Sequence, residues 1–156
     1  MNIITIDYSM ATQSLDIFFS GCAMGQHCPG CHNSEAWDFN VGSDWATWID
    51  KIKYNVEHFN GMIKRIFILG GEPLDQDRVE FIKFMDTMFS IILHTDIEQW
   101  LFTRYEMDQI PEEIKDIFDY IKTGPYKEEL TVDDNIQYSV KLATSNQKIW
   151  KSGVDF

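Results

Sequence analysis

Apolar and polar positions along the chain alternate between two periods. "NIITIDY" (2–8) and "LDIFFSG" (15–21) are short and rich in β-branched and aromatic residues, which predicts strands. A helical period follows over 43–59, where Trp45, Trp48, Ile49, Ile52, Val56 and Phe59 recur on one face and Ser43 stands as the N-cap. "RIFILGG" (65–71) is a short apolar run stopped by two glycines, the pattern of a buried parallel strand. Residues 77–92 return to helical spacing, with Val79, Ile82, Met85 and Phe89 on one face. "EQWLFT" (98–103) predicts a strand and "PEEIKDIFD" (111–119) a short helix with Pro111 near its first turn. "DYIKTG" (119–124), "IQYSV" (136–140) and "QKIW" (147–150) complete the set as strands.

Strands alternating with helices predict right-handed βαβ units, an α/β class and a mainly parallel sheet. No repeat, low-complexity tract or linker divides residues 1–156, so one domain is expected. Sites in such folds lie beyond the carboxyl ends of the strands. Four unusual stretches follow strand ends: a cysteine stretch after "LDIFFSG", "GGEP" after "RIFIL", "TRYE" after "EQWLF" and "TGPY" after "DYIK". They are expected on one rim.

The composition narrows the partners. The chain has 13 Lys and Arg against 25 Asp and Glu, a net charge of −12, so a phosphate backbone is not an expected ligand. No apolar run reaches the ~18 residues of a membrane span. The start, "MNIITIDYSM", lacks the basic residues and small-residue cleavage site of a signal peptide, and a cytoplasmic location is expected.

In that compartment thiols stay reduced, and clustered cysteines bind metal or do redox chemistry more often than they form disulfides. All three cysteines, Cys22, Cys28 and Cys31, lie in "GCAMGQHCPGCHN" (21–33). Three readings remain open at this point. With His27 or His32 they make a Cys₃His zinc set. Cys28 and Cys31 alone make a dithiol. Three thiolates on an iron–sulfur cubane leave one iron without a protein ligand. "LGGEP" (69–73) adds a place where glycines let a ligand approach backbone, beside the Glu72 carboxylate, with Pro73 stiffening the exit.

Taken together, these stretches resemble the radical S-adenosylmethionine superfamily, and within it the activating proteins of anaerobic (class III) ribonucleotide reductases. "FFSGC" and "CPGCHN" resemble the cysteine loop, with aromatic Trp37 after it, and "LGGEPLDQ" the GGE strand end. "WLFTRYE" resembles "WLYTGY", "YIKTGPYKEEL" resembles "VDGPFxEEL", and "ATSNQKIW" resembles "GSSNQRI". The chain departs from the pattern in four places. Its cysteines are spaced C-x5-C-x2-C rather than C-x3-C-x2-C, and "MATQSLD" stands where "GPGxR" is usual. Arg104 replaces the glycine of "TGY", and Thr123 the aspartate of "DGP".

The resemblance implies an open partial (β/α) barrel with helices outside, the chain being shorter than the ~250 residues of a closed eight-unit barrel. It implies that Cys22, Cys28 and Cys31 hold a [4Fe–4S] cluster, and that Gly70, Gly71, Glu72, Pro73 and Thr103 surround S-adenosylmethionine. Glu72 would accept from the cofactor's amino group. The implied reaction is reductive cleavage of the cofactor to a 5′-deoxyadenosyl radical, which takes hydrogen from a glycine of the reductase large subunit. Flavodoxin or ferredoxin would supply the electron, and the open rim would dock the reductase. Under this reading Trp37 shields the cluster or packs, Asn33 orders the loop, and Ser145, Asn146 and Gln147 pack the tail or meet the reductase. Two other readings stand beside it: a radical enzyme of the deazapurine-forming type acting on a small molecule, and a non-catalytic zinc module.

Overall fold

The computed structural model describes every residue except Met24, Gln26 and Asn60, two of which fall inside the cysteine stretch. The chain opens with a hairpin of β1 (Asn2–Ser9) and β2 (Ser14–Phe19), paired antiparallel. A two-residue strand, β3 (Ser43–Asp44), pairs with the outer side of β1. Then come α1 (Ile49–His58), β4 (Arg65–Gly70), α2 (Arg78–Ile92), β5 (Glu98–Phe102), α3 (Glu112–Lys115) and β6 (Tyr120–Thr123). A small hairpin, β7 (Ile136–Gln137) with β8 (Val140–Lys141), precedes β9 (Lys148–Lys151).

The main sheet has the order β3-β1-β2-β4-β5-β6-β9. The pairings β2–β4, β4–β5 and β5–β6 are parallel, while β3–β1, β1–β2 and β6–β9 are antiparallel. The sheet is therefore mixed, with a parallel centre and antiparallel flanks, and not mainly parallel as the sequence predicts. The reason is local. The connection from β1 to β2 is a turn, and that from β6 to β9 holds a 3₁₀ turn and the β7–β8 hairpin but no α-helix, so those strands reverse direction instead of crossing over.

The four parallel strands are laid down in sequence order and always in the same direction across the sheet. Right-handed crossovers that step one way place every helix on one side. The core agrees: Ile52 and Val56 of α1, Phe81, Phe84, Met85 and Met88 of α2 and Ile114 of α3 join Ile17, Phe19, Ile66, Ile68, Leu101 and Ile121 in one buried cluster. The opposite face holds a smaller cluster of Phe67, Trp100, Tyr120, Val140, Leu142 and Ile149. Val140 and Leu142, from the region of the β7–β8 hairpin, pack into it.

Four local expectations are corrected. Ser43 does not cap a helix, because it is in β3. Asp44 accepts from the Ala46 N–H and starts a 3₁₀ turn, Trp45–Trp48, that leads into α1. On α2 the buried face is Phe81, Phe84, Met85, Met88 and Ile92, whereas Val79 and Phe89 are exposed. The helix expected through Asp119 has its α-helical part end at Lys115. "IQYSV" is not one strand, since Tyr138 and Ser139 take positive φ of 49° and 65° and turn the chain back as a hairpin.

Candidate functional site

The carboxyl ends of the parallel strands meet at a cavity of about 510 Å³. Cys22, Cys28 and Cys31 line it after β2, Gly70, Gly71 and Glu72 after β4, Thr103 and Arg104 after β5, and Gly124 and Tyr126 after β6. Its apolar wall is Phe18, Leu69 and Phe102, the residues that strand alternation turns away from the helices. Among the expected cofactor residues, Gly70, Gly71, Glu72 and Thr103 reach this cavity. Pro73 does not: it is buried at the start of a 3₁₀ turn and lines a separate groove with Phe81 and Tyr105.

The glycine pair has a structural cause. Gly70 takes a φ of 117°, a region that favours glycine. A Cβ at Gly71 would run into the Gly21 carbonyl. That closeness lets the Glu72 N–H donate to the Gly21 carbonyl at 2.8 Å and the Gly71 N–H to the Phe19 carbonyl at 2.7 Å. The β4 end is thus bonded directly to the base of the cysteine stretch.

Cys22 is held from both sides. Its N–H donates to the Trp37 carbonyl at 3.0 Å. The N–H of the next residue, Ala23, donates to Asp75 Oδ2 at 2.6 Å. Asp75 also accepts two bonds from the Arg104 guanidinium, at 2.9 and 2.8 Å, and one from the Tyr105 hydroxyl at 2.6 Å. Arg104, where the resembling motif has glycine, therefore neither swings to solvent nor stands alone in the cavity; it anchors the carboxylate that holds the Cys22 segment. Burial pushes the Cys22 thiol up to about 12, and the nearby Glu72 and Asp75 carboxylates add to it. Metal loading at that sulfur must displace a proton.

Cys28 to Cys31 close a turn in which the Cys31 N–H donates to the Cys28 carbonyl at 3.1 Å, with Pro29 and Gly30 (φ 70°) between them. The Asn33 N–H points at Cys31 Sγ, 3.4 Å away. An N–H aimed at sulfur is a contact that a ligand sulfur can accept. All three thiols are free and part-buried. Among the described residues no group of three or more His, Cys, Asp or Glu is gathered closely enough to hold a single metal ion. The thiols instead surround a cavity, an arrangement suited to a multi-iron group.

Glu72 is 2 % exposed. Its Oε1 accepts from the Leu74 N–H at 3.1 Å and the Thr103 hydroxyl at 2.7 Å, and its Oε2 from the Arg104 N–H at 2.8 Å. Burial raises its carboxyl above the ordinary range, and these donors pull it partly back. A carboxylate has about four acceptor sites, so one remains for a ligand. Thr103 is thus seen first as the group that orients Glu72.

The remaining residues sort by contact. His27 stacks on Trp37 with ring centroids 4.1 Å apart, and His32 meets Tyr126 edge-on. Thr123 is buried and accepts from Trp150 Nε1 at 2.9 Å. Gln147 lines the cavity; its Oε1 accepts from the Ala143 N–H at 3.1 Å. Asn146 donates to the Pro125 carbonyl at 2.9 Å, and the Ser145 N–H to the Leu130 carbonyl at 2.9 Å. Asn146 and Gln147, whose Nε2 donates to the Gly124 carbonyl at 3.5 Å, tie the tail around the Gly124–Pro125 turn, and Ser145 ties it to the Leu130 carbonyl. Sequence reasoning missed Asp75, Tyr105 and Lys122. The only signal for Asp75 was its place three residues after Glu72 in "GGEPLDQ".

No helix is long and apolar enough to cross a membrane among the described residues. Residues 13–150 match the family model of the 4Fe-4S single cluster domain. The chain is 25% identical over 119 residues to the anaerobic ribonucleoside-triphosphate reductase-activating protein of Escherichia coli K12, covering 73% of this chain and 75% of that protein, with the same figures for the protein of that name from Escherichia coli O157:H7. The expected resemblance to this group is thus found. No solved structure matches the chain. With three cysteines around one cavity and a family match across most of its length, the chain belongs to the 4Fe-4S single cluster domain family.

Proposed function

We propose that the chain is a radical S-adenosylmethionine activase that generates a glycyl radical on an anaerobic ribonucleotide reductase. One observation carries the reading. Three cysteines and a Gly-Gly-Glu strand end line the same cavity, in a chain similar to proteins named as activators of that reductase. Cys22, Cys28 and Cys31 would hold the cluster. When bound, a [4Fe–4S] cluster with one iron open supplies the electron that cleaves S-adenosylmethionine to methionine and a 5′-deoxyadenosyl radical, which takes a hydrogen atom from a glycine of the reductase large subunit.

The chain's own residues do the positioning. Glu72, fixed by Thr103 and the Leu74 and Arg104 N–H groups, offers its remaining acceptor site to the cofactor ammonium. Gly70 and Gly71 keep that wall of the cavity free of side chains. Asp75, with Arg104 and Tyr105, sets the segment that carries Cys22. Phe18, Leu69 and Phe102 present an apolar wall that limits water at the reacting end. Helices on one side and an uncovered rim on the other are consistent with an open partial barrel, which a second protein's glycine can enter. The electron donor in this reading is a flavodoxin or ferredoxin, in a cytoplasmic setting.

The test is anaerobic reconstitution with iron and sulfide, followed by EPR of the dithionite-reduced protein with and without S-adenosylmethionine. A [4Fe–4S] signal that shifts on adding the cofactor, then a glycyl radical doublet when reductase is added, is the expected result. Stoichiometric zinc with no cluster and no cofactor cleavage would return the cysteines to a structural role. Cleavage without a doublet would redirect the search to a small-molecule hydrogen donor.

A further inference from the structure

Lys122 is a buried cation that neither the motifs nor the cysteine chemistry accounts for. It is the third residue of β6, and alternation places it with Tyr120 on the face away from the helices. In register it pairs with Phe102 on one side and Ile149 on the other. It therefore continues the row of Phe18, Leu69 and Phe102 and lines the same cavity.

Its surroundings are unusual for a lysine. The residue is 9 % exposed. Nζ donates to the Gly124 carbonyl at 2.8 Å and, more weakly, to the Thr103 carbonyl at 3.5 Å. Both partners are neutral, and none of the ion pairs among the described residues includes Lys122. An ammonium has three N–H donors, so at least one is left over. Burial pulls its pKa down to about 8, against the opposing pull of Glu72 and Cys28. Lysine is almost never fully buried without a paired charge. A cation held this way at a cavity wall is matched when a ligand brings the anion.

Glu72 lines the same cavity and has one acceptor site to give. The cavity thus carries a buried carboxylate and a buried ammonium, complementary to the two ends of an α-amino acid zwitterion. Arg104 is a poorer candidate for the anion, because its guanidinium already chelates Asp75.

We propose that Lys122 binds the aminoacyl carboxylate of S-adenosylmethionine, while Glu72 takes the amino group. The assignment rests on the function proposed above and names the residue that reads the amino-acid end of the cofactor.

The experiment is a ligand comparison on reconstituted protein under anaerobic conditions, measured by calorimetry. S-adenosylhomocysteine carries the amino-acid end, and 5′-methylthioadenosine lacks it. Lys122→Met is expected to weaken S-adenosylhomocysteine by about tenfold to a hundredfold, the range for losing a hydrogen bond to a charged group. It should leave 5′-methylthioadenosine unchanged. Lys122→Arg should restore most of the lost affinity. If Lys122→Met binds S-adenosylhomocysteine as the wild type does, or loses both ligands alike, the assignment is overturned while the activase reading stands. A wild-type protein that binds neither ligand overturns both.

Discussion

On the helical side of the sheet, Ile17, Phe19, Ile68, Leu101 and Ile121 are sealed beneath α1, α2 and α3. One residue along the same strands, on the other side, Phe18, Leu69 and Phe102 are left half-open as a cavity wall. The two sets share a backbone and differ only in which way the pleat turns them. The helical side is filled by side chains of its own chain, so its apolar area goes into stability. On the other side no helix of the described residues fills the upper end, and a cavity with the polar Glu72 and Lys122 in its lining stands there instead. Changes on the first side should therefore cost stability, and changes on the second should cost binding and chemistry.

Serine at Cys22, Cys28 or Cys31 gives the sharpest separation. Each variant is expected to abolish cofactor cleavage and full cluster loading, measured by iron content and EPR. The unloaded protein should lose no more than about 0.5 kcal/mol in urea unfolding, the usual range for a site away from the packed core. A collapse of the fold in these variants would break the comparison.

Next in size is Phe84→Ala. Phe84 is fully buried on α2, packed edge-on against Phe19 at 5.2 Å and Trp45 at 5.7 Å. Its loss should cost about 3–5 kcal/mol in the urea midpoint, from lost transfer and the cavity left behind. A cost under about 1 kcal/mol would show a helical side less tightly packed than described.

A smaller effect belongs to Lys122 and pH. Its pKa is about 8 in the folded chain against 10.5 for the ordinary side chain. Between those values the unfolded chain binds more protons, so unfolding free energy rises with pH. The contribution is fully present above the unfolded value and is lost as pH falls through about 8. Denaturation of the wild type and Lys122→Met across that window should differ in slope, by a total on the order of 3 kcal/mol. Parallel curves would mean that the lysine is better solvated than its position implies.

The smallest effect is expected at Phe89, whose helical spacing suggests core but which is 55% exposed. Phe89→Ser should move stability by less than about 0.5 kcal/mol. A larger loss would place that face of α2 against something in solution.

The difference between Phe84 and Phe89 shows where sequence reading fails. Helix α2 carries apolar residues at Val79, Phe81, Ile82, Phe84, Met85, Met88 and Phe89, nearly all round. A 3.6-residue period fits more than one stripe through such a set, and only docking on β2 and β4 selects the stripe. "IQYSV" misled for a related reason: its β-forming side chains hid two positive-φ residues. The rim was legible because its logic is local. Each notable stretch directly follows an apolar run, and parallel strands bring such ends together.

By itself the sequence determined the parallel centre, the three clustered thiols and the glycine pair, because period, spacing and residue type are properties of neighbours along the chain. The tertiary structure alone decided that antiparallel strands, β3 and β1 on one side and β9 on the other, flank that centre. It also decided that Arg104 and Tyr105 meet Asp75 to hold the Cys22 segment, and that Lys122 faces the cavity instead of solvent. Those contacts join residues about thirty or more apart in the chain, or depend on which side of the sheet the helices cover. Both are fixed only when the crossovers close.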